Sequence, residues 1–334
     1  QGDHGAAGLL ADARRHALEI GDRTFEALAM IDLAAVDVER VDDRVLHAAI
    51  EACRDSGLEG EAVDGEIVAM QRWAAGSPII TPADFHAPPI GGSNLRRAQA
   101  HHHRALAALL RDAGGAARAS AARGLRAIDR SRAAIGADEL RAAASDRAPA
   151  LAELGLRSAV DAGRPSVVFE WAERARAAAL RLAEARPAAD PVLVADLAAL
   201  RSLAPGSGEA AEVERRVIDR RRTLRADAPG TAVARAADIR LRLADGQVLL
   251  EYVEADGRMF LVEVRRARAT MRELDVDVAA LSDDVGKLLF GLRRMASTTG
   301  PSVVGAVAMV ESLGRRLADQ LVPSHVVEPN IVIV

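Results

Sequence analysis

QVLLEYVEADGRMFLVEV, residues Gln247 to Val264, decides how this chain is read. Val248, Leu250 and Tyr252 fall on one face of a strand, and Phe260, Val262 and Val264 repeat the alternation after Asp256-Gly257. A two-residue period signals a strand, and an Asp-Gly step suits a tight turn with positive φ at its centre. The stretch predicts a β-hairpin. Before it the apolar spacing is helical, and after it strand and helix patterns mix up to Val334. The expected fold is mainly α: a solenoid of helical hairpins followed by an α/β fragment.

Composition agrees with a helical body. Hydrophobic residues make up 50% and aromatics 2%, so Ala, Leu and Val must fill the core. Alanine is the best helix former and lets helices approach closely. A net charge of −4 gives no general reason to expect nucleic acid or anionic lipid as a partner. Lys287 is the one lysine among 44 basic residues, a bias spread over the whole chain. The single cysteine, Cys53, excludes an internal disulfide and a thiolate metal cluster. QGDHGAAGLL at the start lacks the basic and apolar regions of a signal peptide, and the leading Gln suggests trimming. The longest uncharged apolar run, Val303 to Val310, is too short to span a bilayer. A soluble, cytoplasmic protein is expected.

Outward from the hairpin towards the N-terminus, five segments separate. Residues 231–334 form the α/β part, with a third strand at Ala267 to Leu274, helices at Val276 to Met295 and Val303 to Leu321, and a last strand, Asn330 to Val334. That last strand is apolar throughout, as a strand buried on both faces would be. Its backbone groups need neighbours on both sides, so the sheet is expected to be completed by further sequence or a partner unless this strand lies at an edge. Residues 187–230 form a helical linker, Pro191 to Leu203 and then EVERRVIDRRRTLRAD. Its arginines, 215, 216, 220, 221, 222 and 225, alternate with Glu212, Glu214 and Asp219 and lack an aromatic neighbour, so a solvated helix is preferred to a nucleic-acid contact. Gly206-Ser207-Gly208 follows a helix, not a strand, and is no dinucleotide fingerprint.

Residues 95–186 read as paired helices: Leu95 to Asp112, Ala116 to Ile135, Asp138 to Ala162 and Ser166 to Ala185. Pro149 is expected to kink or split the third near Ala148. Ser93 or Asn94 caps the first, which carries an apolar stripe of Leu95, His102, Leu106 and Leu109. Arg97, His101, Arg104 and Arg111 form a basic stripe, the candidate partner groove. His101 to His103 point about 100° apart in a helix, so they do not converge on one metal ion and are expected on a solvated face. Trp171 shares a face with Val168, Ala175 and Leu182 and reads as core.

Residues 76–94 hold four of the thirteen prolines and form a connecting loop in which His86 is a surface residue. Residues 1–75 divide into four helices at Gly21, Val41-Asp42 and Gly57 to Gly60. Cys53 lies six positions from His47, a spacing that does not bring two helical side chains together, so it reads as a buried thiol.

The equal intervals Gly115 to Ala127 and Gly163 to Ala175 resemble the tetratricopeptide (TPR) pattern, although the two glycines are further apart than the regular period of about 34 residues. EWAERARAAALRL (Glu170 to Leu182) then looks like the helices that precede CHAT domains, relatives of the caspase peptidases. LLEYVEADGRMFLVEV (Leu249 to Val264) resembles the opening hairpin of that domain. SLGRRLADQLVP (Ser312 to Pro323) and NIVIV (Asn330 to Val334) resemble its helix and next central strand. The resemblance implies an incomplete caspase-like α/β fragment behind a TPR-like arm. It also implies a cysteine endopeptidase gated by a protein or peptide partner, with a His-Cys dyad. In the family that dyad follows the last strand matched here, so no catalytic residue, cofactor-binding residue or metal ligand is transferred, and the chain alone is expected to be inactive. The remaining C-terminal half would itself be a partner. The alternative is a non-enzymatic scaffold that binds a protein.

Overall fold

The computed structural model describes residues 3–37, 39–76, 87–134, 147–180, 190–203, 207–223, 233–297, 301–326 and 331–333. Among them the chain is mainly helical with one small sheet, in two compact units: Gln1–Ser158 with Ala175–Ala232, and Ala159–Arg174 with Val233–Val334. The loop residues 77–86, with His86, and the expected helix start at Asp138 lie outside the described residues.

The first unit begins with α1 (Asp3–Ile20), α2 (Arg23–Val36), α3 (Asp43–Asp55) and α4 (Glu59–Ala74). The sequence dictates their starts. Asp22 accepts a hydrogen bond from Phe25 N, and Asp42 from Arg44 N and Val45 N, satisfying donors that a helix N-terminus leaves open. Met30, Leu33, Leu46, Ile50, Cys53 and Met70 join one core, closed by Leu106 and Ala107 of α5 (Asn94–Leu109). Ser93 caps α5 by accepting from Arg96 N. Helix α6 (Gly114–Ala134) packs extensively on α5, and α7 (Ala148–Asp161) starts at the position where Pro149 interrupts the helical pattern. Gly124 makes the α5–α6–α7 approach possible: a Cβ there would stand 2.8 Å from Leu151 Cδ1 and 3.3 Å from His101 Cβ.

Two expectations for α5 are corrected. Leu95 is 43% exposed and belongs to no buried stripe. His101, His102 and His103 are all buried rather than solvated, because Ala98 to His103 and Ala105 to Ala107 are enclosed nearly all round the helix. After α8 (Pro165–Leu180), Asp190 caps α9 (Pro191–Ser202), which packs against α10 (Gly208–Thr223) through Leu193, Val213 and Val217.

The second unit contains α11 (Ala236–Arg242), β1 (Val248–Ala255), β2 (Arg258–Arg265), β3 (Ala269–Leu274), α12 (Val278–Ser297), α13 (Pro301–Leu321) and β4 (Ile331–Ile333). The strand order is β3-β2-β1-β4, antiparallel except for β4, which runs parallel to β1. The hairpin turns on Asp256 and Gly257, with φ of 50° and 70°. Its register places Leu250 opposite Glu263 and Val253 opposite Phe260. Phe260, Val262 and Val264 therefore lie on the face opposite Val248, Leu250 and Tyr252, and all but half-buried Tyr252 are buried. Residues on both faces of the hairpin are buried. β4 stands at an edge of the described sheet, the alternative the sequence leaves open, and Val332 is 41% exposed. Trp171, in the segment 159–174, is buried beneath the Arg174 guanidinium, 5.0 Å from the ring centre.

Candidate functional site

The polar groups that this fold buries concentrate between α3, α4 and α5. Glu66 on α4 is 2% exposed and sits within an otherwise apolar run, GEIVAM. One of its carboxylate oxygens lies 2.7 Å from His103 Nε2, and the other accepts from Arg54. Arg54 also pairs with Glu51 on its own helix. A buried carboxylate is tolerable only when paired, and here Arg54 of α3 donates to one oxygen while the His103 ring of α5 stands against the other.

The histidines are held neutral. Burial pushes His102 and His103 down to about 4 from the ordinary value of 6.5, assisted at His102 by Arg147 and His103, and at His103 by Arg104, Arg111 and Arg54. Burial also lowers His101, with Arg104, Arg123 and Arg126 adding to it. Neither ring nitrogen of His102 finds a hydrogen-bond partner among the described residues. Arg147 itself is tied to Asp64 at 2.6 Å.

A second buried pair lies nearby. Arg72 donates to Asp43 at 3.0 Å and to the carbonyls of Val41 and Ala34. It lines a cavity of about 550 Å³ with Ala34, Glu39, Asp42, Val68 and Gln71. Another cavity, about 400 Å³, opens among Gly57, Gly60, Pro88, Gly92, Arg96 and Gln99. Gln99 donates to the Gly60 carbonyl, and Arg96 donates to Gln99.

The candidate groove is only partly assembled. Arg97 and Arg111 are exposed and Arg104 is half-buried, donating to the Pro88 carbonyl at 2.9 Å. His101 is 7% exposed and turns into the helix packing instead of lining a surface. On α10 three arginines are engaged within the protein: Arg215 with Glu212, Arg216 with Asp196 at 2.8 Å, Arg220 with Asp190 at 2.8 Å. Hydrogen bonds from Leu193 N and Arg220 hold the Asp190 carboxyl below the usual range. Cys53 is fully buried, and burial with nearby Glu61 pushes its thiol up. In the second unit, buried Glu263 meets His325 at 3.0 Å, and Tyr252 donates to the Leu321 carbonyl at 3.0 Å.

The described residues contain no cluster of His, Cys, Asp or Glu suited to a metal ion and no helix long and apolar enough to cross a membrane. Sequence reasoning missed Glu66, Arg54, Arg72 and Asp43. Glu66 within GEIVAM was the available signal, since an acid flanked by buried apolar residues must find partners. Compared with known proteins, the chain matches no family model and no curated protein.

Proposed function

We propose that the chain is a TPR-like interaction arm joined to the leading part of a CHAT-like α/β domain, from a partner-regulated cysteine endopeptidase of the cytoplasm. The supporting observation is the strand arrangement: an antiparallel β1–β2–β3 set, then two helices, then β4 returning parallel beside β1. No catalytic residue is assigned within the 334 residues. A peptidase thiolate needs an imidazole in hydrogen-bond reach, and the buried Cys53, with its raised thiol, offers a poor nucleophile. The test is expression together with the coding sequence that follows Val334. Proteolysis that vanishes when a downstream Cys is replaced by Ala supports the reading; a folded extension without proteolysis, with and without cell extract as a source of partner, overturns it.

The second reading is a non-enzymatic scaffold for a protein partner, favoured by the burial of the one thiol and by the exposed Arg97 on α5 and Arg111 just past its end. An acidic peptide or protein surface fits those guanidiniums. Arg97→Glu with Arg111→Glu is expected to abolish partner recovery in a pull-down at low salt. Recovery equal to that of the unsubstituted chain rules this surface out.

A further inference from the structure

The three consecutive histidines of α5 have no place in either reading above, yet they occupy the centre of the first unit. A helix offers each of them a different direction, and each ring is buried with arginine charges nearby. His101 faces Arg123 and Arg126 of α6 and Arg104 of its own helix. His102 faces Arg147 at the start of α7, whose countercharge, Asp64, belongs to α4. His103 lies near Arg54 of α3, Arg104 of α5 and Arg111 just past the end of α5, with Glu66 of α4 as the carboxylate in contact. Glu66 already accepts from Arg54, so a protonated His103 would share one carboxylate with a guanidinium. His102, 4% exposed, finds among the described residues no acceptor to stabilise a second proton.

We propose that His101, His102 and His103 form an acid-operated latch: neutral, they let α5 close against α3, α4 and α6, and proton uptake opens that packing. The sign follows from linkage. A histidine whose folded value lies below 6.5 stabilises the closed form fully above 6.5 and loses that contribution as pH falls towards 4. Each such imidazole raises the opening constant about fivefold between pH 6.5 and 5.5, so two raise it about 30-fold. The second unit provides an internal reference, because the one histidine in 233–334 is His325, which is exposed.

Hydrogen exchange of the whole chain, corrected for the intrinsic rate at each pH, tests this at pH 7.5, 6.5 and 5.5. Amides of α3 to α6 are expected to lose protection by about 30-fold between pH 6.5 and 5.5, while those of β1 and β2 keep theirs. His102→Leu is expected to reduce that loss to about fivefold. Unchanged protection of α3 to α6 at pH 5.5 overturns the latch, and so does an equal loss in β1 and β2, which would mean general acid unfolding. If His102→Leu does not fold, the unsubstituted chain alone distinguishes these outcomes; if it folds and keeps the full loss, the latch is also overturned.

Discussion

His103 Nε2 stands 2.7 Å from Glu66 Oε2 with both side chains almost wholly buried, and Arg54 takes the other carboxylate oxygen. Helices α3, α4 and α5 are thus tied at one point by groups far apart in sequence. Removing the carboxylate takes from the partly buried Arg54 one of its two acceptors, leaving Glu51, and takes from the buried His103 ring the carboxylate beside it. Glu66→Ala is expected to cost about 3–5 kcal/mol of unfolding free energy, and Glu66→Gln, which keeps an acceptor, appreciably less. Urea denaturation followed by circular dichroism measures both. A loss below about 1 kcal/mol for Glu66→Ala would show that the pair contributes nothing.

Cys53 gives a prediction about reactivity. Its thiol is fully buried, and burial together with Glu61 raises its ionisation above the ordinary value of 9.0. The reactive species is the thiolate, so little of it exists at pH 8 and reagent cannot reach it. Labelling by a disulfide reagent is expected to be at least about 100-fold slower in the native chain than in urea, because it must wait for opening. Comparable rates would place the thiol at the surface.

How much of this was legible differs between the hairpin and the polar cluster. Asp256-Gly257 and the two-residue period announce β1 and β2 locally, and the capping residues Asp42, Ser93 and Asp190 mark helix starts for the same reason. That the two triplets occupy opposite faces was not legible, because alternation between Leu249 and Leu250 carries no polarity difference when both sides are covered. The histidines fail for a related reason. Reading them as a solvated stripe assumes that a helix has a wet face, and α5 is enclosed between α4 and α6 along most of its length. The Glu66 contacts depend on residues 54 and 103, which only the fold brings together.

The hairpin turn can be tested without touching the core. Gly257 has a φ of +70° and nothing within 4 Å of where a Cβ would be built, so a side chain meets only backbone strain. Gly257→Val is expected to cost about 1–2 kcal/mol. Asp256→Asn, with φ of 50° at that position, is expected to be neutral or slightly stabilising, since Asn tolerates the left-handed region best. Thermal unfolding of the two variants gives the answer, and equal midpoints would argue against this turn geometry.

Helix α12 holds a matched pair of glycines with opposite expected outcomes. At Gly286 a Cβ meets nothing within 4 Å, so Gly286→Ala removes backbone freedom from the unfolded chain at no steric cost. A gain of roughly 0.5–1 kcal/mol is expected. At Gly291 the same atom would stand 2.7 Å from Val310 Cγ2 and 2.8 Å from Met309 Cε, where α12 meets α13. The Met309 end can swing aside, whereas the branched Val310 can yield only by shifting the helices. Gly291→Ala is therefore expected to lose about 1–3 kcal/mol to overpacking, more than the propensity gain returns. Denaturant midpoints of the two variants should fall on opposite sides of the unsubstituted chain. A gain at both positions would mean that α12 and α13 are not held at this separation.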